Sequence, residues 1–573
     1  MPYPIKYIEN NLVWNNEGEC FAYYELIPFN YSFLSLEQKD AVHDAFRQLI
    51  AQNRDGKIHA LQISTESSIR AAQERSKKSV TGRLKEIACA EIDEQTENLI
   101  ASLGDTQVDY RFFIGFKLVV TDKELSVKEV GNAAKNLLHD AVNAIGHSFM
   151  GDFVSMPNDE IRRYSRMEKL MENKLSRRFK VRRLDKNDFG YLLEHIYGRT
   201  GTAYEDFEFT LPLKKRKSDT LVKRYDLIKP ARCLIEEKQR YMRIKSEDSE
   251  SYVAYFTISD VVGELDFPSS EIFYFQEQQF DFPIDTSMNV EIVTNKAALS
   301  TVRNKKKELK DLENHAWEAN SDTTNQVMDA LESVDELETV LDQSKESMYK
   351  LSYVVRVTAP DTEELKRRCN QVRDFYDDAS IKLVRPIGDM MGLHNEFIPS
   401  SKRYMNDYVQ YVTSDFLAGL GFGATQMLGE RDGIYLGYNV DTDQNVYVQP
   451  ARAAQGVKGS VTNALSGAFL GSLGGGKSLS FNLLTYYAVL NGAQALILDP
   501  KSERGLWKEK LPEIADEINI VNLTSDEENK GMLDPYIIMR KTKDAESLAL
   551  DVLTFLTGIS SRDGKLFPVL RRA

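Results

Sequence analysis

The sequence predicts a multidomain α/β and α+β chain: an N-terminal α+β part with a helical hairpin, then the opening of an α/β unit. Three observations predict this. The chain has 573 residues, enough for about three or four domain-sized units rather than one core. Short aromatic and β-branched runs alternate with amphipathic helical stretches through most of its length. Near the end, a glycine-rich loop stands between an apolar run and a helix. These place an α+β docking domain at 1–430, with the hairpin at 296–352, and a partial α/β domain at 431–573.

Composition narrows the classes. With 42% hydrophobic and 28% charged residues, the chain reads as globular rather than disordered. Lys and Arg number 73 against 87 Asp and Glu, a net charge of −14, which argues against a general DNA-coating role. Cys20, Cys89, Cys233 and Cys369 lie far apart with no CxxC pair, so neither a disulfide framework nor a thiolate zinc site is expected. The apolar runs "FFIGFKLVV" and "ALILD" are well below the roughly 18 residues a membrane span needs. "MPYPIKYIENN" lacks the apolar region of a signal peptide. A cytoplasmic location follows, with any membrane association peripheral.

The elements follow in order. "FAYYELI" (21–27) is a strand, and Ala41, Phe46, Leu49 and Ile50 give 36–52 an apolar helical face. "HALQIST" (59–65) and "YRFFIGFKLVV" (110–120) are strands; 66–103 and 126–147 are helical. Arg162 to Arg183 holds ten Lys or Arg and two acids, Glu168 and Glu172, and a second basic cluster spans 214–217. Such charge is ordinarily a solvated helix face; it also suits an anionic lipid or nucleic acid surface. "YVAYFTISDVV", "EIFYFQEQ" and "MNVEIVTN" between 251 and 295 are strand-like. Two charged helices then flank "NSDTT" (320–324) as an antiparallel hairpin, with too few heptads to prefer a coiled-coil dimer. "YVVRVTA", a helix at 361–378 capped by Asp361, and "IKLVRPIG" make a β-α-β run of ferredoxin-like spacing. Residues 433–450 read as a hairpin. No internal repeat of 20–50 residues occurs.

The chemistry lies in "GSLGGGKS" (471–478), a match to G-x-x-x-x-G-K-[ST] at Gly471, Gly476, Lys477 and Ser478. Glycines, here including Gly474 and Gly475, let successive N–H groups converge on phosphate oxygens. Lys477 supplies positive charge to the β- and γ-phosphates, and Ser478 a hydroxyl to Mg²⁺. The N–H groups of the helix beginning at Lys477, through Leu479, add its dipole. "ALILD" (495–499) reads as a buried parallel strand ending in Asp499, with Glu503 in the loop beyond it. Asp499 is thus a candidate Mg²⁺ ligand and Glu503, with Lys477, a candidate catalytic residue. No Glu follows Asp499, because residue 500 is Pro.

"GSLGGGKS" followed by "LILDPKSE" resembles the cytoplasmic ATPase of conjugative type IV secretion systems, above all the version carried by conjugative transposons and integrative conjugative elements of Gram-positive bacteria. "FAYYELIPFNYSFLS" (21–35), "DGIYLGYNVDTDQNVYV" (432–448) and "GMLDPY" (531–536) are similar to other parts of that family. The resemblance implies a RecA-like motor domain, ATP and Mg²⁺ as cofactors, a hexameric assembly at the inner membrane face with other conjugation proteins, and DNA as an indirect substrate. It also implies a later Walker B strand with an Asp-Glu pair. No apolar strand ending in Asp-Glu follows residue 500, so the chain is expected to be truncated before that strand. Two further functions stay open: a non-catalytic scaffold docking through 1–430, and a DNA-pumping P-loop ATPase.

Overall fold

The aromatic and β-branched runs pair into one 14-stranded sheet, antiparallel at every described pairing. The computed structural model describes residues 3–53, 56–104, 106–119, 158–198, 204, 207–209, 221–223, 233–246, 250–261, 267–318, 325–455, 466–522 and 530–572. The expected helix at 126–147, the basic cluster at 214–217 and the turn at 320–324 lie outside the described residues. The chain divides into two compact units, Met1–Ala493 and Gln494–Ala573.

In the first unit the strands are β1 (Ile5–Glu9), β2 (Leu12–Asn15), β3 (Cys20–Leu26), β4 (Phe29–Asn30), β5 (Lys57–Ser68), β6 (Thr106–Leu118), β7 (Val181–Arg183) and β8 (Leu221–Lys223). They continue with β9 (Leu234–Glu237), β10 (Met242–Lys245), β11 (Glu250–Val261), β12 (Ile284–Val293), β13 (Met348–Ala359), β14 (Ile381–Val384) and β15 (Gln410–Val412). Two small pairings add β16 (Ala424–Thr425) on β4, and β17 (Ile434–Tyr438) with β18 (Asn445–Val448). The order across the large sheet is β8-β1-β2-β3-β6-β5-β12-β13-β11-β10-β9, with β7 on β3, β14 on β11 and β15 on β13.

This order reads the same way inward from β1 and from β9, because the unit is made of two halves of the same topology. Each half begins with a hairpin, β1-β2 or β9-β10, that pairs the start of β3 or β11. A helix follows, Leu36–Ala51 or Ile272–Gln279, then β5 or β12. Two helices are inserted next: Ile69–Ser79 and Lys85–Leu103 in the first half, Asn295–Glu318 and Asn325–Ser344 in the second. Then come β6 or β13, a helix (Asn158–Ser176 or Thr362–Asp378), and β7 or β14, which pairs the far end of β3 or β11. Each half is therefore a split β-α-β, ferredoxin-like unit with a helical hairpin inserted. The halves join where β5 meets β12, Gln62 opposite Thr286 through Lys57 opposite Glu291.

Local chemistry sets the element ends. Ser35 and Gln38 form a capping box at Leu36–Ala51. Asp361 accepts the N–H groups of Glu363 and Glu364 at the start of Thr362–Asp378. The strand-like reading of 271–278 is corrected: the segment is the helix Ile272–Gln279, burying Ile272, Phe273 and Gln276 on one side. Its aromatic content favours a strand, but a helix must cross the sheet face between two parallel strands, and that tertiary requirement wins.

Both sheet faces are covered, which is why β3 is buried at every position; its one charged residue, Glu25, pairs with Arg111 and Arg182. On one face Phe112, Ile114, Tyr353 and Val355 pack with Phe46, Leu49, Leu365 and Val372. On the other, Tyr23, Phe113, Tyr255 and Val354 pack with Phe189, Leu192, Ile196, Leu393 and Phe397. The split within each strand follows the two-residue side-chain period.

A buried polar cluster spans the seam between the halves. Asp285 accepts the Ser64 N–H at 2.8 Å and the Ser64 hydroxyl at 2.6 Å. Its other oxygen lies 3.0 Å from His195 Nε2 and 3.1 Å from Arg356. Arg356 also donates to the carbonyls of His195 and Ile196. It thereby satisfies carbonyls near the end of the helix Lys186–Gly198 and ties that helix to β12 and β13.

Candidate nucleotide-binding site

The segment leading to the glycine loop is held against the first half's helical insertion. Gly433 donates its N–H to Ser76 Oγ at 2.8 Å, and Arg431 pairs with Asp109 at 2.8 Å. Gln444 Nε2 donates to the Val108 carbonyl at 3.1 Å and to Glu277 at 3.0 Å. Glu277 also accepts the Gln426 N–H. Burial, the largest influence, pushes the Glu277 carboxyl up to about 7.

The loop itself is built by its glycines. Gly474 and Gly476 adopt φ of +80° and +78°, conformations that disfavour any side chain. The Gly475 N–H closes a turn onto the Ser472 carbonyl at 3.1 Å. Lys477 is the first residue of the helix Lys477–Leu490 and arcs back over the loop. Its Nζ donates to the carbonyls of Gly471 at 2.8 Å and Ser472 at 2.5 Å. A Cβ on Gly471 would stand 3.3 Å from Lys477 Cγ, so the first glycine leaves room for the lysine stem.

The helix start is open. Gly476 is its N-cap and supplies no side-chain cap. The first intrahelical bond is from Ser480 N–H to the Gly476 carbonyl at 2.9 Å. The N–H groups of Lys477, Ser478 and Leu479 therefore have no acceptor within the helix. With the dipole behind them they form an anion site, and the Ser478 side chain is exposed beside it. A triphosphate fits this donor set: N–H groups for its oxygens, an ammonium for its charge, and a hydroxyl for Mg²⁺.

The other end of this helix is anchored. Leu490 is fully buried, and Ala88, Ile92, Ile434, Tyr435, Tyr487 and Leu490 line one small cleft. Gly492, at φ +97°, meets the Thr81 backbone. The asparagine-glycine pair marked a helix end in the sequence; nothing there indicated that it would meet the Thr81–Gly82 turn.

Asp499 and Glu503 belong to the second unit. The Asp499 carboxylate accepts the Arg504 N–H at 2.8 Å and the Lys501 N–H at 3.2 Å, and pairs with the Arg504 guanidinium at 3.3 Å. These contacts, the Arg504 N–H first, lower its pKa. Glu503 is exposed. The reading of 495–499 as a buried parallel strand is corrected: the segment forms no strand, and Leu496 and Leu498 are 90% and 82% exposed. A parallel strand needs hydrogen-bonded neighbours and covered faces, and among the described residues of this unit there is no strand to pair with it.

Residues 444–573 match the family model of the AAA-like domain, a P-loop class that binds nucleotide, generally with Mg²⁺. Across 577 aligned positions the chain is 20% identical to the uncharacterized protein YddE of Bacillus subtilis (strain 168), covering 95% of this chain and 67% of that protein. No helix among the described residues is long and apolar enough to cross a membrane.

Proposed function

We propose that this chain is the ATP-binding component of a conjugative type IV secretion machine, built on a RecA-like motor domain. Lys477 folded over a left-handed glycine loop, at an uncapped helix start, carries the reading. In use, Lys477 exchanges the Gly471 and Ser472 carbonyls for phosphate oxygens, and the first-turn N–H groups hold the phosphate chain. Ser478 supplies a ligand to Mg²⁺, which when bound screens the phosphate charge. Coupling to the rest of the chain runs through the helix Lys477–Leu490 into the first half's inserted hairpin. The machine context is supported by the resemblance in the glycine loop and "LILDPKSE". With it come peripheral placement at the inner membrane face, contacts with other conjugation proteins, and assembly of several copies, a hexamer in the full family.

One observation favours a second reading, a nucleotide-binding scaffold without turnover of its own. The Asp499 oxygens are engaged by their own turn and by Arg504, so a metal at this carboxylate competes with the Arg504 guanidinium and the turn N–H groups. The test is DNA transfer from donor cells whose only copy of this chain carries Lys477→Ala. Transfer is expected to fall by orders of magnitude. Unchanged transfer overturns the proposal, and turnover by the purified wild-type chain overturns the scaffold reading.

A further inference from the structure

We propose that copies of this chain dock head to tail, the basic outer face of the helix Asn158–Ser176 on one copy seating against the acidic outer face of the helix Asn325–Ser344 on the next. This rests on the reading of the chain as an assembling component and names the surfaces that would meet.

The acidic helix carries six Asp or Glu and no Lys or Arg. Its inner side is accounted for: Val334, Leu337 and Leu341 pack with Ala298, Leu299 and Val302, Glu338 holds Arg303 and Lys306, and Asp335 holds Lys306. Met328, Glu332, Glu336 and Val340 remain, four residues apart and so along one line of the helix. All four are exposed, Met328 at 56% and Val340 at 50%.

The helix Asn158–Ser176 carries five Lys or Arg and four Asp or Glu, and two of its acids, Glu168 and Glu172, are turned to Arg183, which leaves a basic outer side. Its inner side is fixed by Tyr164 against Trp14, and by buried Glu168, which takes Arg183 and Asn11. Of the basic residues noted in the sequence, Arg182 is engaged by Glu25 and Asp188, and Arg183 by Glu168 and Glu172. Arg163, Arg166, Lys169, Arg177 and Arg178 stay exposed, around Leu170, itself 64% exposed.

Each patch thus sets charge of one sign around a protruding apolar side chain, and the two signs are complementary. Among the described residues no ion pair joins the two helices within the chain. A basic ridge alone would equally suit an anionic membrane; the matching acidic ridge favours self-docking, because a membrane would leave it without a role. Because the patches differ, the contact is heterologous and propagates until a ring closes or a filament forms. Single exposed pairs contribute little and are screened by salt, so each contact is weak and closure supplies the avidity.

The test is sedimentation velocity of the full chain at about 50 mM and about 500 mM salt. Species larger than the monomer are expected at low salt and are lost at high salt. Arg166→Glu with Lys169→Glu should weaken association by about tenfold or more, as should Glu332→Lys with Glu336→Lys; all four together should restore it. Unchanged circular dichroism shows that the variants fold. Association insensitive to both pairs overturns these surfaces but leaves assembly standing. A monomer at every salt concentration overturns assembly itself. Failure of the fourfold variant to restore association overturns the pairing. If the basic pair instead removes binding to phosphatidylserine vesicles and leaves sedimentation unchanged, the ridge is a lipid surface and the proposal falls.

Discussion

A Cβ built on Gly492 would lie 2.6 Å from the Thr81 carbonyl oxygen and 2.9 Å from its hydroxyl. The helix that starts at the nucleotide loop therefore ends in backbone contact with the turn between Ile69–Ser79 and Lys85–Leu103. Gly82, also at positive φ, faces Gly492 from the other side, its own built Cβ 3.5 Å from the Gly492 Cα. One rigid helix links phosphate recognition to an insertion in the large sheet.

Gly492→Val should break that link. The substitution meets a left-handed φ and a backbone oxygen together, for a cost of about 2–4 kcal/mol. Hydrogen exchange should quicken in both Lys85–Leu103 and Lys477–Leu490. Exchange confined to the loop at 491–493 would show that the contact is incidental.

Lys477→Ala should leave stability almost untouched. Its head group bonds only to two carbonyls of an exposed loop, so the change in unfolding free energy should stay within about 0.5 kcal/mol. Affinity for a fluorescent Mg²⁺–ATP analogue should drop at least about tenfold, since the lost contact is a charge-assisted one to phosphate. Equal affinities would remove Lys477 from the site.

Glu277 makes stability depend on pH with an unusual sign. Its folded pKa, about 7, lies above the ordinary 4.5, so the native state binds the proton more tightly. The resulting stabilisation is full below pH 4.5 and disappears as the pH rises through about 7, by up to about 1.4 kcal/mol per pH unit. His59 and His394 act the other way, since burial lowers them to about 4 and about 3. The measurement is therefore the difference between wild type and Glu277→Gln in thermal melts from pH 5 to pH 8. The variant should gain relative stability as the pH rises. A flat difference would show that Glu277 stays ionised throughout.

What was legible in the sequence depended on how local each signal is. The glycine loop was legible because its backbone chemistry is contained in eight residues. The Asp361 cap and the strands at Phe21 and Tyr110 were legible for the same reason. The repeated topology was not, because the halves share little beyond it: Tyr23 and Tyr255 occupy matching strands, each with its hydroxyl 2.7 Å from a buried histidine Nδ1, yet His59 and His394 come from different elements. The repeated order of a basic then an acidic inserted helix was visible in principle. Arg70 with Glu97 and Arg303 with Glu338 show that it serves the same antiparallel pairing twice. Ile272–Gln279 was misread because aromatic content outweighed an i, i+1, i+4 pattern in so short a segment.

Asp285 and Arg356 provide the sharpest test of the seam. Both are buried and pair at 3.1 Å, and each holds something else: Asp285 holds Ser64 of the first half, and Arg356 holds the carbonyls of His195 and Ile196. Asp285→Ala takes from the buried Arg356 guanidinium the carboxylate it pairs with, and Arg356→Met takes from the buried Asp285 carboxylate its guanidinium. Each single change should cost about 3–5 kcal/mol, because the remaining charge stays desolvated. The double change removes both charges and should cost clearly less than the two singles together. Calorimetric melting of the four proteins checks this. Strict additivity would mean that the two groups stabilise the halves independently, Asp285 through Ser64 and Arg356 through its helix, and that no shared ionic cluster joins β5, β12 and β13.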